Sequence, residues 1–336
     1  MQDPLLEVLS RVAPGTALRE ALDNIIRARL GALIVMGGEP AIDEDCDGGF
    51  PLDVPFHHQL VYELAKMDGA ILLDRNLERI RRANVELIPK KYATSAETGM
   101  RHRTAERIAK TRDATVIAVS ERRQVVTLYK GQNRYMLHDL SYILTKATNA
   151  LASLSRYDRL FRNASRRLLD SEREGLASMT DVAEVLRRAY IALKVRQEIK
   201  RYVVELGRDG HLIDLQLEEY PDIYREWLWI WKDYQRTAAP AASPAALAAE
   251  SWTPEEWARQ LGFDGVPSWI EPRGYRLLHS MGLPHAVVDD AVGRYGTLSQ
   301  LRQATARELA EIEGSGPALA KTLWAALHEQ DPEPGL

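Results

Sequence analysis

Gly31-Ala32-Leu33-Ile34-Val35-Met36-Gly37 is a short apolar run closed by glycine at each end. It offers no polar side chain to water, so it reads as a strand buried on both faces. The flanks supply the cover. Residues 5–29 carry Leu5, Leu6, Val8 and Leu9, then Leu18, Leu22, Ile25 and Ile26, at helical spacing. Pro14-Gly15 splits that stretch into two helices, and Thr16 is placed to cap the second. The acidic segment 38–55, with its glycines and prolines, reads as a loop. Further along, 57–67 and 97–110 read as helices. Segments 70–73, 84–88, 115–119 and 125–129 read as strands, the last two joined by the charged turn Glu121-Arg122-Arg123. Helix and strand alternating over 1–137 predict an α/β domain with a covered mixed sheet.

From His138 the pattern changes. Leu140, Ile143, Leu144, Ala147, Leu151, Leu154, Tyr157 and Phe161 recur at steps of three and four, which predicts one long helix with a narrow apolar stripe. Helices over 182–206 and 215–234 complete an all-α spine domain spanning 138–236. Trp227, Trp229 and Trp231 read as its core rather than as a platform for stacked bases. Residues 237–251, rich in alanine and proline, read as a linker. The remainder, 252–336, reads as a compact helical domain.

Charge is distributed unevenly. The chain carries 44 Lys and Arg against 48 Asp and Glu. Residues 75–112 hold eleven basic residues against four acids, while 39–53 hold six acids and no base. A polyanionic ligand is therefore expected at the basic stretch. The lone Cys46 excludes an internal disulfide and sits among acids that disfavour a reactive thiolate. No apolar run approaches the ~20 residues of a membrane span, and the first residues lack a basic-then-apolar leader. A cytoplasmic protein without membrane contact is the expectation.

Two strings bear chemistry. Asp68-Gly69-Ala70 precedes the strand Ile71-Leu72-Leu73. A carboxylate at a sheet mouth can hold a divalent cation or accept a proton from a hydroxyl, and a neighbouring glycine lets a ligand come close. The same dipeptide is also a common turn. Gly99-Met100-Arg101-His102-Arg103-Thr104 opens a helix. Its arginine forks, its hydroxyl and the helix N-terminal amides suit phosphate oxygens. As a plain alternative it is a solvated basic face continued by Arg107 and Lys110.

Asp-Gly-Ala followed about thirty residues later by Arg-His-Arg resembles the signature of the diadenylate cyclase (DAC) family of the DNA-integrity-scanning type. The strand at 31–37, Glu86-Leu87-Ile88-Pro89, the string from Glu97 to Arg107, Val119-Ser120, Tyr129-Lys130-Gly131 and the long helix from His138 extend the resemblance over the chain. It implies condensation of two ATP into cyclic di-AMP and two pyrophosphates, with Mg²⁺ or Mn²⁺. It also implies face-to-face DAC domains in a homo-octamer, regulated by branched or damaged DNA. On the matching positions, Asp68 would bind the metal and activate a hydroxyl, with Arg101, His102 and Arg103 as its catalytic company. Gly69, Ala70, Leu87, Met100, Thr104 and Ser120 would complete the ATP site. Met100 departs from the family's usual threonine, which removes a hydroxyl but leaves the backbone amide.

The tail carries a second resemblance. Ile312-Glu313-Gly314-Ser315-Gly316-Pro317 reads as helix end, glycine turn and helix start, and Leu278 to Pro284 as an earlier hairpin centred on Gly282. These are similar to helix-hairpin-helix modules, which would bring Gly282, Gly314, Ser315 and Gly316 to DNA phosphates. A small packed bundle with glycine caps is the alternative. Residues 266–330 hold six basic residues against seven acids, so the tail has no basic footprint of its own. Two other functions fit parts of the chain. One is a non-catalytic, nucleotide-sensing DNA scaffold, which the two intact strings disfavour. The other is a lysine-dependent nucleotidyl transferase, for which Lys90 and Lys91 lack a surrounding motif.

Overall fold

The computed structural model describes residues 4–236, 244, 247, 249–314 and 316–328. The glycine-bounded run forms β1 (Ala32–Gly37), and all six of its residues are buried. It pairs in parallel with β4 (Ala70–Leu73), Ile34 opposite Ile71, and antiparallel with β6 (Ala114–Ser120), Ile34 opposite Ile117. With β2 (Cys46–Asp47), β3 (Phe50–Pro55), β5 (Arg79–Leu87), β7 (Val125–Lys130) and β8 (Asn133–Met136), the described residues form one eight-stranded mixed sheet. Its order is β2-β5-β4-β1-β6-β7-β8, with β3 also on β5.

The two-residue period of each strand sorts its side chains between two cores. Ile34, Met36, Ile71, Leu73, Ile117 and Val119 pack on one face with Leu9, Leu18, Leu22, Ile25 and Val61. These come from α1 (Pro4–Arg11), α2 (Ala17–Arg27) and α3 (His58–Leu64). Leu33, Val35, Leu72, Val116 and Ala118 pack on the other with Ala105, Ile108 and Ala109 of α4 (Met100–Thr111). The sheet is therefore mixed and covered, as expected. Thr16 caps α2, its hydroxyl accepting from Arg19 N–H at 3.2 Å.

Segment 38–55 departs from the expected loop. It holds a short helical turn (Ala41–Asp45), β2 and β3, both strands lying antiparallel to β5. Strand pairing with β5 settles this, and arginines of β5 and of the end of α4 neutralise the acids. Arg81 meets Glu39 at 3.4 Å and Asp43 at 3.0 Å, Arg79 meets Asp53 at 2.7 Å, and Arg112 meets Glu44 at 3.1 Å and Asp45 at 2.6 Å. Burial works to raise the Asp45 carboxyl, but the Arg112 guanidinium and the Lys90 N–H outweigh it and hold it below its ordinary range. Burial pushes the Cys46 thiol up. Three of the eleven basic residues of 75–112, Arg79, Arg81 and Arg112, thus serve as partners for the acidic segment.

The helical part begins with α5 (Leu140–Glu174) and α6 (Met179–Leu206). Instead of one helix over 215–234 there are two, α7 (His211–Glu218) and α8 (Ile223–Tyr234). Pro221 cannot continue the first, and Asp222 caps the second through Arg225 N–H at 3.2 Å. The chain divides into two compact units, 1–149 with 199–216, and 150–198 with 217–336.

In the second unit follow α9 (Pro254–Leu261), α10 (Tyr275–Ser280), α11 (His285–Tyr295), α12 (Leu298–Gln303), α13 (Ala306–Leu309) and α14 (Gly316–His328). Trp227 and Trp231 are buried and stacked at 5.6 Å, with Trp257 edge-on to Trp227. Trp229, on the other side of α8, is half-buried and stacks on His279 at 4.2 Å. Most of the expected linker (237–243, 245, 246 and 248) lies outside the described residues. Within it, the Leu247 carbonyl accepts the Tyr190 hydroxyl at 2.9 Å and Ala249 is buried. Among the described residues no helix is long and apolar enough to cross a membrane.

Candidate active site

Where β4 and β5 meet the start of α4, the first unit opens a cleft of about 1170 Å³. One wall is the Asp68-Gly69 turn with Ala70. The next is β5, through Asn84, Val85, Glu86 and Leu87. The opposite wall is Gly99, Met100, Arg101, His102 and Thr104, with Ser120, Glu121 and Arg122 beyond it. Both chemistry-bearing strings therefore border one space. Gly69, Ala70, Leu87, Met100, Thr104 and Ser120, named from the sequence, all line it.

Each wall has a local cause. Gly69 is required by the fold rather than by a ligand. A Cβ there would come within 2.3 Å of the Asn84 carbonyl carbon. Asn84 itself takes a left-handed φ of 53°, and its side chain accepts the Gly69 N–H at 3.2 Å. The close pairing turns Asp68 outward. Its carboxylate is exposed and has no hydrogen-bond partner among the described residues. Gly99 is the N-cap of α4 with extended φ −78° and ψ 135°, and its carbonyl accepts Arg103 N–H at 2.8 Å. The first amides of α4 stay free of helical partners at the cleft wall, where the helix dipole favours anions. The helix begins at Met100 rather than at Glu97, because the preceding residues engage side chains instead.

Arg101 lies against Gly31, where a Cβ would meet its Nη1 at 2.2 Å, and it forms no ion pair among the described residues. Arg29 and Arg122 likewise line the cleft without an ion pair. Three guanidiniums are thus available to one ligand. Arg103 is the predicted residue that the structure does not bring in. Its Nε donates to the Glu97 carbonyl at 3.2 Å and its Nη2 to the Thr98 carbonyl at 3.4 Å, which braces the loop ahead of α4. These two carbonyl bonds hold the Arg103 side chain on the loop ahead of α4, away from the cleft.

His102 is half-buried at the wall. Its Nδ1 is 3.1 Å from the Tyr129 hydroxyl, which donates to Glu97 Oε1 at 2.9 Å, and Arg134 Nε donates to that same oxygen at 2.6 Å. Burial pulls the imidazole below its ordinary range, against the opposing effect of Glu97. Burial and the bond to Glu97 push the Tyr129 phenol up. Arg29, Leu33, Asn84, Val85, Glu86, Gly99, Glu121 and Arg122 were not singled out from the sequence as site residues. Leu33, Asn84, Val85 and Glu86 lay in segments read as strands, Gly99 at the head of the Arg-His-Arg string and Glu121 and Arg122 in a strand connection; Arg29 ended the first helical stretch.

No group of three or more metal-ligating side chains occurs among the described residues. The cleft offers three exposed carboxylates, Asp68, Glu86 and Glu121. That donor set suits a hard divalent cation held jointly by one or two carboxylates and the phosphates of a nucleotide.

In the second unit, α10 and α11 are joined by a turn in which Gly282 has φ 74°. Gly314 and Gly316, at φ 80° and 61°, precede the body of α14. Ser315 lies outside the described residues. Asp233 accepts the backbone N–H groups of Gly274, Tyr275 and Arg276 at 2.6–2.9 Å, and Arg276 Nη2 bonds buried Glu172 at 2.6 Å.

Comparison with known proteins covers the same two regions. Residues 19–134 match the family model described as the nucleotide-binding domain of the DisA bacterial checkpoint controller, and 137–264 match its linker region. The chain is 43% identical to the DNA integrity scanning protein DisA of Symbiobacterium thermophilum, covering 96% of this chain and 94% of that protein. It is 40% identical to the protein of that name from Carboxydothermus hydrogenoformans, over 95% and 94% of the two chains. Against the Bacillus subtilis protein the identity is 39%, over 96% and 93%.

Proposed function

The chain belongs to the DisA family of DNA integrity scanning proteins, and from that premise we propose that it is a diadenylate cyclase that joins two ATP molecules into cyclic di-AMP with release of two pyrophosphates. The observation that carries the proposal is the shared cleft, with the unpartnered Asp68 carboxylate on one wall and Arg101 with the free amides of α4 on the other.

Each ATP would lie with its nucleoside against Gly69, Ala70 and Leu87 and its triphosphate toward Arg101, Thr104 and Ser120, with Arg29 and Arg122 adding donors and His102 at the wall beside it. Met100 contributes its backbone amide only. The 3′-hydroxyl of one nucleotide attacks the α-phosphorus of the other, a phosphorus–oxygen bond to pyrophosphate breaks, and the hydroxyl proton leaves to a base. The same event in reverse roles closes the ring. Asp68 accepts that proton or orients the hydroxyl. Mg²⁺ or Mn²⁺, held by Asp68 with the substrate phosphates, would neutralise charge on the leaving group. Catalysis is then mostly placement and charge stabilisation.

Because the two substrates are identical, a two-fold arrangement of DAC domains supplies the same half-site twice. Met100, 81% exposed at the cleft, gains cover in such a pair. We extend the proposal to a homo-octamer in the cytoplasm. DNA regulation enters through the turns at Gly282 and at Gly314 to Gly316, in the manner of helix-hairpin-helix modules. The name of the relatives, DNA integrity scanning protein, supports the link to DNA.

The test is incubation of the purified chain with ATP and Mn²⁺, with chromatography of the dinucleotide product, with and without branched DNA. Asp68→Asn should abolish turnover and leave the circular dichroism unchanged. Near-native turnover in that variant removes Asp68 from its role.

A further inference from the structure

We propose that Tyr129, Glu97 and Arg134 form a positioning chain that holds His102 with its proton on Nδ1, so that Nε2 serves the cleft as a hydrogen-bond acceptor and not as a phosphate donor. The inference rests on the cyclase reading for the identity of the ligand, but the proton order follows from geometry alone.

The order is forced from one end. Glu97 Oε1 receives Arg134 Nε at 2.6 Å, and a carboxylate paired in this way can only accept. Its 2.9 Å contact with the Tyr129 hydroxyl therefore takes the one phenol proton. What the phenol oxygen has left for His102 is a lone pair. The 3.1 Å contact to Nδ1 is then a hydrogen bond only if Nδ1 carries the hydrogen. In a neutral imidazole this leaves Nε2 bare. Burial favours that neutral form. Nε2 has no partner among the described residues, and His102 lines the cleft.

The consequence separates His102 from its neighbours in the Arg-His-Arg string. Arg101, Arg29 and Arg122 can donate to phosphate oxygens, whereas a bare Nε2 would repel them. A donor of the nucleotide, such as a ribose hydroxyl, or a divalent cation is what this nitrogen can take. Arg103 serves the same assembly from outside, because it grips the carbonyls of Glu97 and Thr98. Tyr129, Glu97, Arg134 and Arg103 touch no ligand in this scheme. They act through His102.

The test uses the full-length protein. The Raman difference between wild type and His102→Asn, with ring-labelled histidine, isolates one imidazole, whose ring-stretch frequency reports the tautomer. Wild type should show the Nδ1–H form at neutral pH without any nucleotide. Glu97→Ala removes the acceptor, frees the phenol proton toward His102 and should switch the imidazole to Nε2–H. Tyr129→Phe should leave a mixture. In both variants turnover should fall about tenfold or more with KM for ATP little changed. An Nε2–H wild type, or a tautomer indifferent to both substitutions, overturns the proposal. If wild type instead shows Nδ1–H but makes no cyclic dinucleotide, the cyclase reading fails while the proton order stands.

Discussion

Residue-scale chemistry is most exacting at Gly69 and at the Asp45–Arg112 pair. The space for a Cβ at Gly69 is occupied by Asn84 backbone, which cannot rotate aside as a side chain can. Gly69→Ala should therefore cost about 1–3 kcal/mol of stability through overpacking, read as a lower urea midpoint, and should also weaken ATP binding by displacing Asp68. Asp45 is 1% exposed and bonded on both oxygens, to Arg112 Nε at 2.6 Å and Nη2 at 2.9 Å. Arg112→Met leaves that carboxylate buried and unpaired, at a cost of about 3–5 kcal/mol. The pH dependence has a definite sign. A carboxyl depressed in the folded state contributes stability that is present above its ordinary value and lost as pH falls through its folded one. Urea midpoints measured downward from neutral pH should fall less steeply for Asp45→Asn than for wild type.

At the scale of elements, the decisive features are ends and edges. The edge formed by β2 and β3 exists because β5 supplies both backbone partners and arginines. The start of α4 is delayed to Met100 because Glu97 and Thr98 bond to side chains. In the second unit, α10 has only six residues and gains its N-terminal partners from Asp233. Arg276, the third residue to bond Asp233, reaches across to Glu172 and to the Ser165 carbonyl. Arg276→Met strands a buried acid, and the second unit should lose about 3–5 kcal/mol. Thermal unfolding followed at the tryptophans checks this, since Trp227, Trp231 and Trp257 all belong to that unit.

For the molecule as a whole, the units do not end where the composition changes. Residues 252–336 share a compact unit with 150–198 and 217–236. Removing 252–336 would expose Trp227 and leave Glu172 and Asp233 without Arg276 and the α10 amides. The truncated chain should therefore unfold at a lower temperature than the intact one in a calorimetric scan, besides losing affinity for branched DNA. Point substitutions at the turns are the cleaner probe: Gly282→Asp with Gly314→Asp should weaken DNA binding without regard to base sequence, measured by fluorescence anisotropy at several salt concentrations. Light scattering should give a particle near eight times 37.9 kDa.

Local order was legible from the chain alone. The apolar run at 31–37, the break at Pro14-Gly15 and the cap at Thr16 each depend on near neighbours, and so does the long stripe from Leu140. The motif spacing named Asp68, Arg101 and His102 because residue type limits what each can bond. What required the folded molecule was every pairing between distant segments. The acids of 39–53 became strand and salt bridge only when β5 lay beside them. Glycine 69 turned out to answer Asn84, fifteen residues away. Arg103 left the cleft because the carbonyls of Glu97 and Thr98 hold it, and the proton on His102 is dictated by Tyr129, Glu97 and Arg134. Hydrogen-bond direction and charge pairing depend on distances through space, and a sequence states only distances along the chain.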